Sequence, residues 1–274
     1  LQWIEISQTP HFMGRAMAVK AAGALLAYGG IWVLMELAGV GFEGMYLLAG
    51  GVGVVITLAL WVAFPHFPEG AVQHKKLVLR RRYWLYYALT FLSGARRQIF
   101  MVFAGFMMVE KFGYSAADIS LLYLVNYVFN LFFASRIGAW VGRVGERRAL
   151  QVEYVGLVIV FTSYAFVDNA TAAAGLYIVD HLFFALSIAI NTYFQKIADP
   201  KDIAATSSVS FTINHVAAVV IPALLGIVWL TSPSAVFLVG SGIAVGSLLL
   251  CALIPDSPRD GGETRLRGLV LSRG

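Results

Sequence analysis

Eight stretches of about 20 mostly apolar residues succeed one another along the chain, each long enough for a helix to cross the hydrocarbon core of a bilayer. They run from Ala16 to Leu37, Met45 to Phe64, Tyr83 to Val109, Ile119 to Ile137, Ala149 to Val167, Ala172 to Gln195, Ser207 to Leu230 and Ala235 to Ile254. In lipid the backbone must satisfy its own hydrogen bonds, and a helix does so within a single segment. Burial in a soluble core is the competing explanation, and charge decides against it. Only 13% of the chain is charged, where ordinary soluble domains carry about a quarter, and 59% is hydrophobic. The expected fold is therefore an all-α polytopic membrane protein with eight transmembrane helices. Its connections are too short to hold another domain.

Lysine and arginine sort by side. Arg15 and Lys20, then Lys75, Lys76, Arg80, Arg81 and Arg82, then Arg136, Arg143, Arg147 and Arg148, then Lys196 and Lys201, and finally Arg259, Arg265, Arg267 and Arg273 fall on one side of the membrane. The opposite side has Lys111, while Arg96 and Arg97 lie within a run. Basic loops stay in the cytoplasm, so both ends of this chain are expected there, in a plasma membrane such as the prokaryotic inner membrane. The net charge of +5 then follows from topology and implies no nucleic acid. Trp61, Trp84, Trp140 and Trp229 fall near run ends, as an interfacial belt requires. The lone Cys251 excludes a disulfide framework, and the Asn169-Ala170-Thr171 sequon sits in a loop too short to leave the membrane surface.

The segment RIGAWVGRVGERRAL joins the fourth and fifth runs and carries Gly138, Gly142, Arg143, Gly145, Arg147 and Arg148. With six runs following a long basic loop, it resembles the major facilitator superfamily (MFS), where a G-x-x-x-D-R-x-G-R-R type loop follows the second helix of each six-helix half. Gly142 replaces the motif's Asp, and Glu146 replaces a basic position. The opening GRAMAVKAAGALLAYGGIW is similar to the family's fifth helix, with Gly23, Gly29 and Gly30 as a thinned glycine-rich stretch. The resemblance makes the eight helices numbers five to twelve, with helices one to four of the same protein missing as partners. LQWIEISQTP then reads as the tail of an earlier helix entering a loop at Thr9 and Pro10. The implied organisation is 1–14, that helix end and a cytoplasmic loop; 15–64, the last two helices of an incomplete N-terminal bundle; and 65–82, the basic loop between bundles. An MFS-type C-terminal bundle follows at 83–254, and a cytoplasmic tail at 255–274.

Such a resemblance implies a secondary transporter, a permease that binds a small solute between two bundles and alternates access by rocking them. Arg96 and Arg97 sit midway along the third run, about 20 Å from either end. At that depth each arginine costs roughly 2.5 to 3.5 kcal/mol and needs a counter-charge or an anionic ligand. Adjacent residues point about 100° apart, so Arg97 can share a face with Thr90 and Ser93 while Arg96 turns toward a neighbouring helix. Either the pair meets an anionic group of the solute, or it forms an internal ion pair with Asp180 or Glu153. Glu153 also lies within two turns of Arg147 and Arg148, and a rim salt bridge is its default expectation.

Other polar residues extend the candidate set. Asp180, Ser187, Asn191 and Gln195 recur at helical spacing and are expected on one inward face, with His181 beside the first. Asp180, His181 and His215 are candidates for proton coupling, since buried acids and histidines titrate within reach of physiological pH. Arg96, Arg97, Asn126, Asn130, Asn191 and Asn214 are candidates for substrate binding. Gly138, Arg143, Gly145, Arg147, Arg148, Glu153 and Pro222 are candidates for gating, Pro222 by freeing the Ala218 carbonyl and bending its helix. Gly50, Gly51, Gly53, Gly242 and Gly246 read as points of close helix approach.

An enzyme is not expected. Gly240-Ser241-Gly242 lacks the glycine of a membrane-protease serine motif, and no H-E-x-x-H, G-x-G-D or nucleotide-binding loop occurs. No cofactor or metal is implied. The expected partners are membrane lipid, a small solute, and protons or another coupling ion. A non-transporting eight-helix assembly or sensory subunit, in which the arginine pair is purely structural, is the alternative from another class.

Overall fold

The computed structural model describes residues 5–34, 38–64 and 79–266. Most of the basic loop expected at 65–82 lies outside the described residues, as do the first four residues and the last eight. Among the described residues ten α-helices cover the expected runs: α1 Thr9–Trp32, α2 Phe42–Ala63, α3 Trp84–Gln98, α4 Gly105–Glu110, α5 Ala116–Val144, α6 Glu146–Phe166, α7 Ala170–Phe184, α8 Ile188–Ile197, α9 Ile203–Trp229 and α10 Pro233–Cys251. A π-helical segment, Ile99–Ala104, joins α3 to α4, and a 3₁₀ turn, Ala185–Ser187, joins α7 to α8. Among the described residues no β-strand forms. The fold is all-α and polytopic.

Among the described residues six spans are both long and apolar enough to cross a membrane: Phe42–Ala63, Leu121–Val144, Glu146–Phe166, Ala170–Ile197, Pro200–Trp229 and Pro233–Cys251. The described part of the first run lies in α1, which also carries Thr9, His11, Arg15 and Lys20, and the third run begins as α3, which ends in Arg96, Arg97 and Gln98. The loop expected at Thr9 and Pro10 is instead the first turn of α1. Proline is tolerated there because that N–H has no partner within the helix.

Caps and turns follow local chemistry. Ser115 and Asp118 form a reciprocal capping box at the start of α5, Asn169 accepts from the Ala172 N–H at the start of α7, and Ser232 accepts from Ala235 at α10. The turn from α5 into α6 is a single residue, Gly145, at φ +86°, where a side chain would be strained.

Helices meet where side chains are small. Gly14 of α1 lies against the Ala134 and Ser135 backbone of α5, and Gly138 lies against Pro10 and Gly14. A Cβ on either glycine would overlap a backbone carbonyl. Gly94 admits Asn214 and Ala217 of α9, Gly156 admits the Phe183 ring, and Gly240 admits Phe161. The glycines expected to do this, Gly50, Gly51, Gly53, Gly242 and Gly246, meet nothing within 4 Å among the described residues. The miss is one of phase: Gly242 points about 200° away from Gly240 on the same helix. No residue of α2 is buried, whereas α3, α6, α8 and α10 supply most of the core.

The ends of the bundle are tied by charge. At one end Arg80 grips Asp202 through two hydrogen bonds of 3.1 Å, Arg82 meets Asp260 at 2.7 Å, Lys196 meets Glu146 at 2.7 Å, and Asp256 receives Arg147 and Arg265. The Asp202 carboxylate raises the pKa of the Arg80 guanidinium by stabilising its charged form. At the other end Lys111 meets Asp168 at 2.6 Å, and the Trp229 indole N–H donates to Glu110 at 3.0 Å.

Candidate functional site

The π-helical segment begins two residues after Arg97, so the arginines close the last regular turn of α3. Arg96 turns inward and is 2% exposed. Its Nη2 lies 3.4 Å from Oε1 of Glu153, a residue of α6 that is fully buried, and its guanidinium sits 4.6 Å from the Tyr154 ring centroid. Of the two readings of Arg96, the structure contains the internal pair with Glu153. The rim salt bridge expected for Glu153 does not form. Arg147, one to two turns earlier on α6, reaches the tail at Asp256 and the Ile254 carbonyl, and Arg148 is exposed.

One ion pair leaves this pocket short of partners. Arg96 Nε and Nη1 and Glu153 Oε2 are buried without a hydrogen bond among the described residues. Asp180 of α7 is 2% exposed, its Oδ1 is equally unpartnered, and it lies close enough to Arg96 and Glu153 to feel both charges. The cluster is thus one fixed cation facing two carboxyl groups in a low-dielectric interior. Coulomb's law alone makes holding both acids ionised costly there.

Arg97 behaves differently. It is exposed, and among the described residues it has no acidic partner. Thr90 and Ser93, expected beside it, are buried one and two turns earlier, where α9 crosses Gly94. Asn214 marks that crossing, with its side-chain amide donating to the Ser210 carbonyl at 3.0 Å and its Oδ1 facing Gly94.

On α5, Asn126 and Asn130 are both buried. The two polar atoms of the Asn126 amide and Oδ1 of Asn130 lack a hydrogen bond among the described residues. An aromatic chain links their helix to the charged cluster: Tyr123 stands edge-on to Tyr177 at 5.7 Å, Tyr177 meets Phe100 at 4.5 Å, and Phe100 meets His181 at 6.3 Å. Tyr177 and Phe100 were not singled out from sequence. Tyr177 stands three residues before Asp180, and that helical spacing was its available signal.

The expected single face of Asp180, Ser187, Asn191 and Gln195 is broken. The 3₁₀ turn at Ala185–Ser187 winds about 20° further per residue than an α-helix, so the phase slips by roughly 60° across it. Asp180 and Gln195 are buried, and Asn191 is exposed one turn before Gln195 on α8. His215 also sits apart from the cluster, exposed on α9 with Nδ1 2.9 Å from the Phe211 carbonyl. Pro222 lies within α9, which continues as helix to Trp229. Gly138 and Gly145 hold the α1 crossing and the α5–α6 turn, and Arg143 is exposed near the end of α5. An open groove of about 510 Å³ runs between α5 and α7, and none of the buried charged residues lines it.

The family model described as Major Facilitator Superfamily matches residues 2–222 and, in a second overlapping match, residues 87–271. Among curated proteins none matches the chain.

Proposed function

Because the chain belongs to the major facilitator superfamily and is therefore a membrane transporter, we propose that it moves a small organic anion by alternating access, coupled to protons. The exposed Arg97 carries this reading: a cation midway along the run from Tyr83 to Val109, with no acidic partner among the described residues, calls for an anionic ligand. A guanidinium offers a carboxylate or phosphate two parallel N–H donors. Arg96 serves the same site as a fixed counter-ion rather than a mobile ligand, because Glu153 and Tyr154 hold it.

Asn126 and Asn130 supply unspent donors and acceptors on α5, Asn214 borders the arginine helix from α9, and Asn191 offers its amide from the exposed side of α8. Proton coupling rests on the imbalance of one cation and two acids, with Asp180 loading and releasing the proton and His181 one residue away as the relay. His215 marks the open side of α9 as a second relay point. Gating is assigned to the α1–α5 crossing at Gly138 and Gly142, to the Gly145 turn with Arg143, Arg147 and Arg148 around it, and to the proline bend at Pro222. The charged end, bearing Arg80, Arg82, Arg147 and Lys196, is assigned to the cytoplasm of a prokaryotic plasma membrane.

The test uses proteoliposomes with an entrapped pH indicator and a panel of small carboxylates, phosphate esters, sugars and amines. An anionic solute is expected to drive proton movement. Arg97→Gln should reduce that flux at least tenfold, and Asp180→Asn should abolish proton movement while solute binding persists. Flux driven by neutral sugars or amines alone, or wild-type flux in Arg97→Gln, would refute the proposal.

A further inference from the structure

Outside the charged cluster, an open groove lies between α5 and α7, and its lining is chemically divided. Arg136, Trp140 and Arg143 form one wall on α5, and Val179, Leu182 and Phe183 form the other on α7. Arg136 and Arg143 are seven residues apart, about two turns, so they point along one stripe of α5 roughly 10 Å apart with Trp140 between them. Both are exposed, and among the described residues neither has an acidic partner. Arg136 spends one donor on its own helix, at the Phe132 carbonyl 3.0 Å away, and its guanidinium lies 5.6 Å from the Phe133 ring centroid. Their neighbours at this end differ, since Arg147 is bonded to Asp256 and Lys196 to Glu146.

We propose that this groove binds an anionic phospholipid, the diester phosphate held between Arg136 and Arg143 and one acyl chain lying along Val179, Leu182 and Phe183. The apolar wall on α7 beside the two arginines favours a lipid over a soluble anion. Both arginines lie in Leu121–Val144, a helix stretch long and apolar enough to cross a membrane, so a partner that carries a charge and a hydrocarbon chain together fits them. Trp140 fits that depth, because an indole settles where headgroups give way to acyl chains. Basic pockets between transmembrane helices recognise lipid headgroups by this combination. The site stands apart from the solute-binding cluster, and the proposal holds whether or not the solute is an anion.

The experiment is native mass spectrometry of the purified full chain after incubation with an equimolar mixture of phosphatidylglycerol and phosphatidylcholine carrying the same acyl chains. The wild type is expected to retain phosphatidylglycerol preferentially. Each surface arginine is worth roughly fivefold in anionic-lipid affinity, so Arg136→Gln with Arg143→Gln should reduce the preference by about tenfold or more. Leu182→Trp, with both arginines intact, should block the acyl chain and reduce phosphatidylglycerol retention several-fold. That second variant decides the matter if the double variant fails to fold. The proposal is overturned by equal retention of the two lipids, by an undiminished preference in the double variant, by no effect of Leu182→Trp, or by displacement of the lipid by millimolar inorganic phosphate.

Discussion

Helices α2 and α6 are nearly equal in length, at 22 and 21 residues, yet among the described residues the more apolar of the two buries no side chain. No residue of α2 is buried, whereas over half of the membrane-crossing stretch of α6 is. The difference lies in contacts between helices and not in small residues as such, since α2 has four glycines and α6 has Gly156 alone. On α6, Glu153 pairs with Arg96, Thr162 meets Ser241 at 3.0 Å, and Gly156 admits Phe183. On α2 the Thr57 hydroxyl donates to its own helix at the Gly53 carbonyl, 2.8 Å away. In a bilayer, apolar side chains gain nothing by leaving lipid for another helix, so hydrogen bonds and close approach decide which helices associate. Apolarity reports insertion, and interrupted apolarity reports packing.

The largest expected effect comes from spoiling the polar contact that anchors α6. Glu153→Ala leaves Arg96 buried and uncompensated, which should cost about 3 to 5 kcal/mol and show as a lower melting temperature in detergent. Replacing both partners by leucine should recover most of the loss, because no lone charge then remains. Equal losses in the single and double variants would show that the pair contributes through packing alone.

Next in size is the α1–α5 crossing. Gly138→Val drives a side chain into the Pro10 and Gly14 backbone and should cost about 1 to 3 kcal/mol. Gly50→Val on α2, where nothing lies within 4 Å, should stay within about 0.5 kcal/mol. Thermal denaturation of the two variants side by side checks the contrast, and comparable losses would erase the distinction between packed and lipid-facing glycines.

The smallest effect is the pH response of the α5 cap. The Ser115 hydroxyl and backbone N–H hold the Asp118 carboxyl below its ordinary value. A depressed acid stabilises the fold above its unfolded pKa and loses that contribution as pH falls through the folded one, so the first turn of α5 should fray below about pH 4. Amide exchange at Ile119 should accelerate there, and Ser115→Ala should flatten the pH dependence.

The broad architecture was legible because helix length and charge asymmetry are local properties of a sequence in lipid. Six of the apolar runs appear as long apolar spans, and the loop at Gly138 to Arg148 carried the family resemblance that the superfamily match bears out. Arg96 and its acid partner were legible as one of two alternatives, since a mid-membrane cation must be compensated somewhere. Facing was less legible. The Ile99–Ala104 π segment contains no proline to announce it, and neither does the Ala185–Ser187 turn that interrupts the helical spacing from Asp180 to Asn191. Small-residue contacts were misassigned for a related reason: glycine spacing within one helix does not say which neighbour arrives. Gly14 was overlooked and Gly138 was read for its motif, yet these two make the closest approach between α1 and α5.

Adjacent arginines hold opposite positions, Arg96 inside the packed bundle and Arg97 exposed beside it. The most direct test of that claim is the melting temperature of Arg96→Gln against that of Arg97→Gln in the same detergent. Arg96→Gln strands a buried acid and should lower the midpoint by roughly 10 °C, while Arg97→Gln should remain within about 2 °C of wild type. Equal shifts, or a larger fall for Arg97→Gln, would contradict the claim.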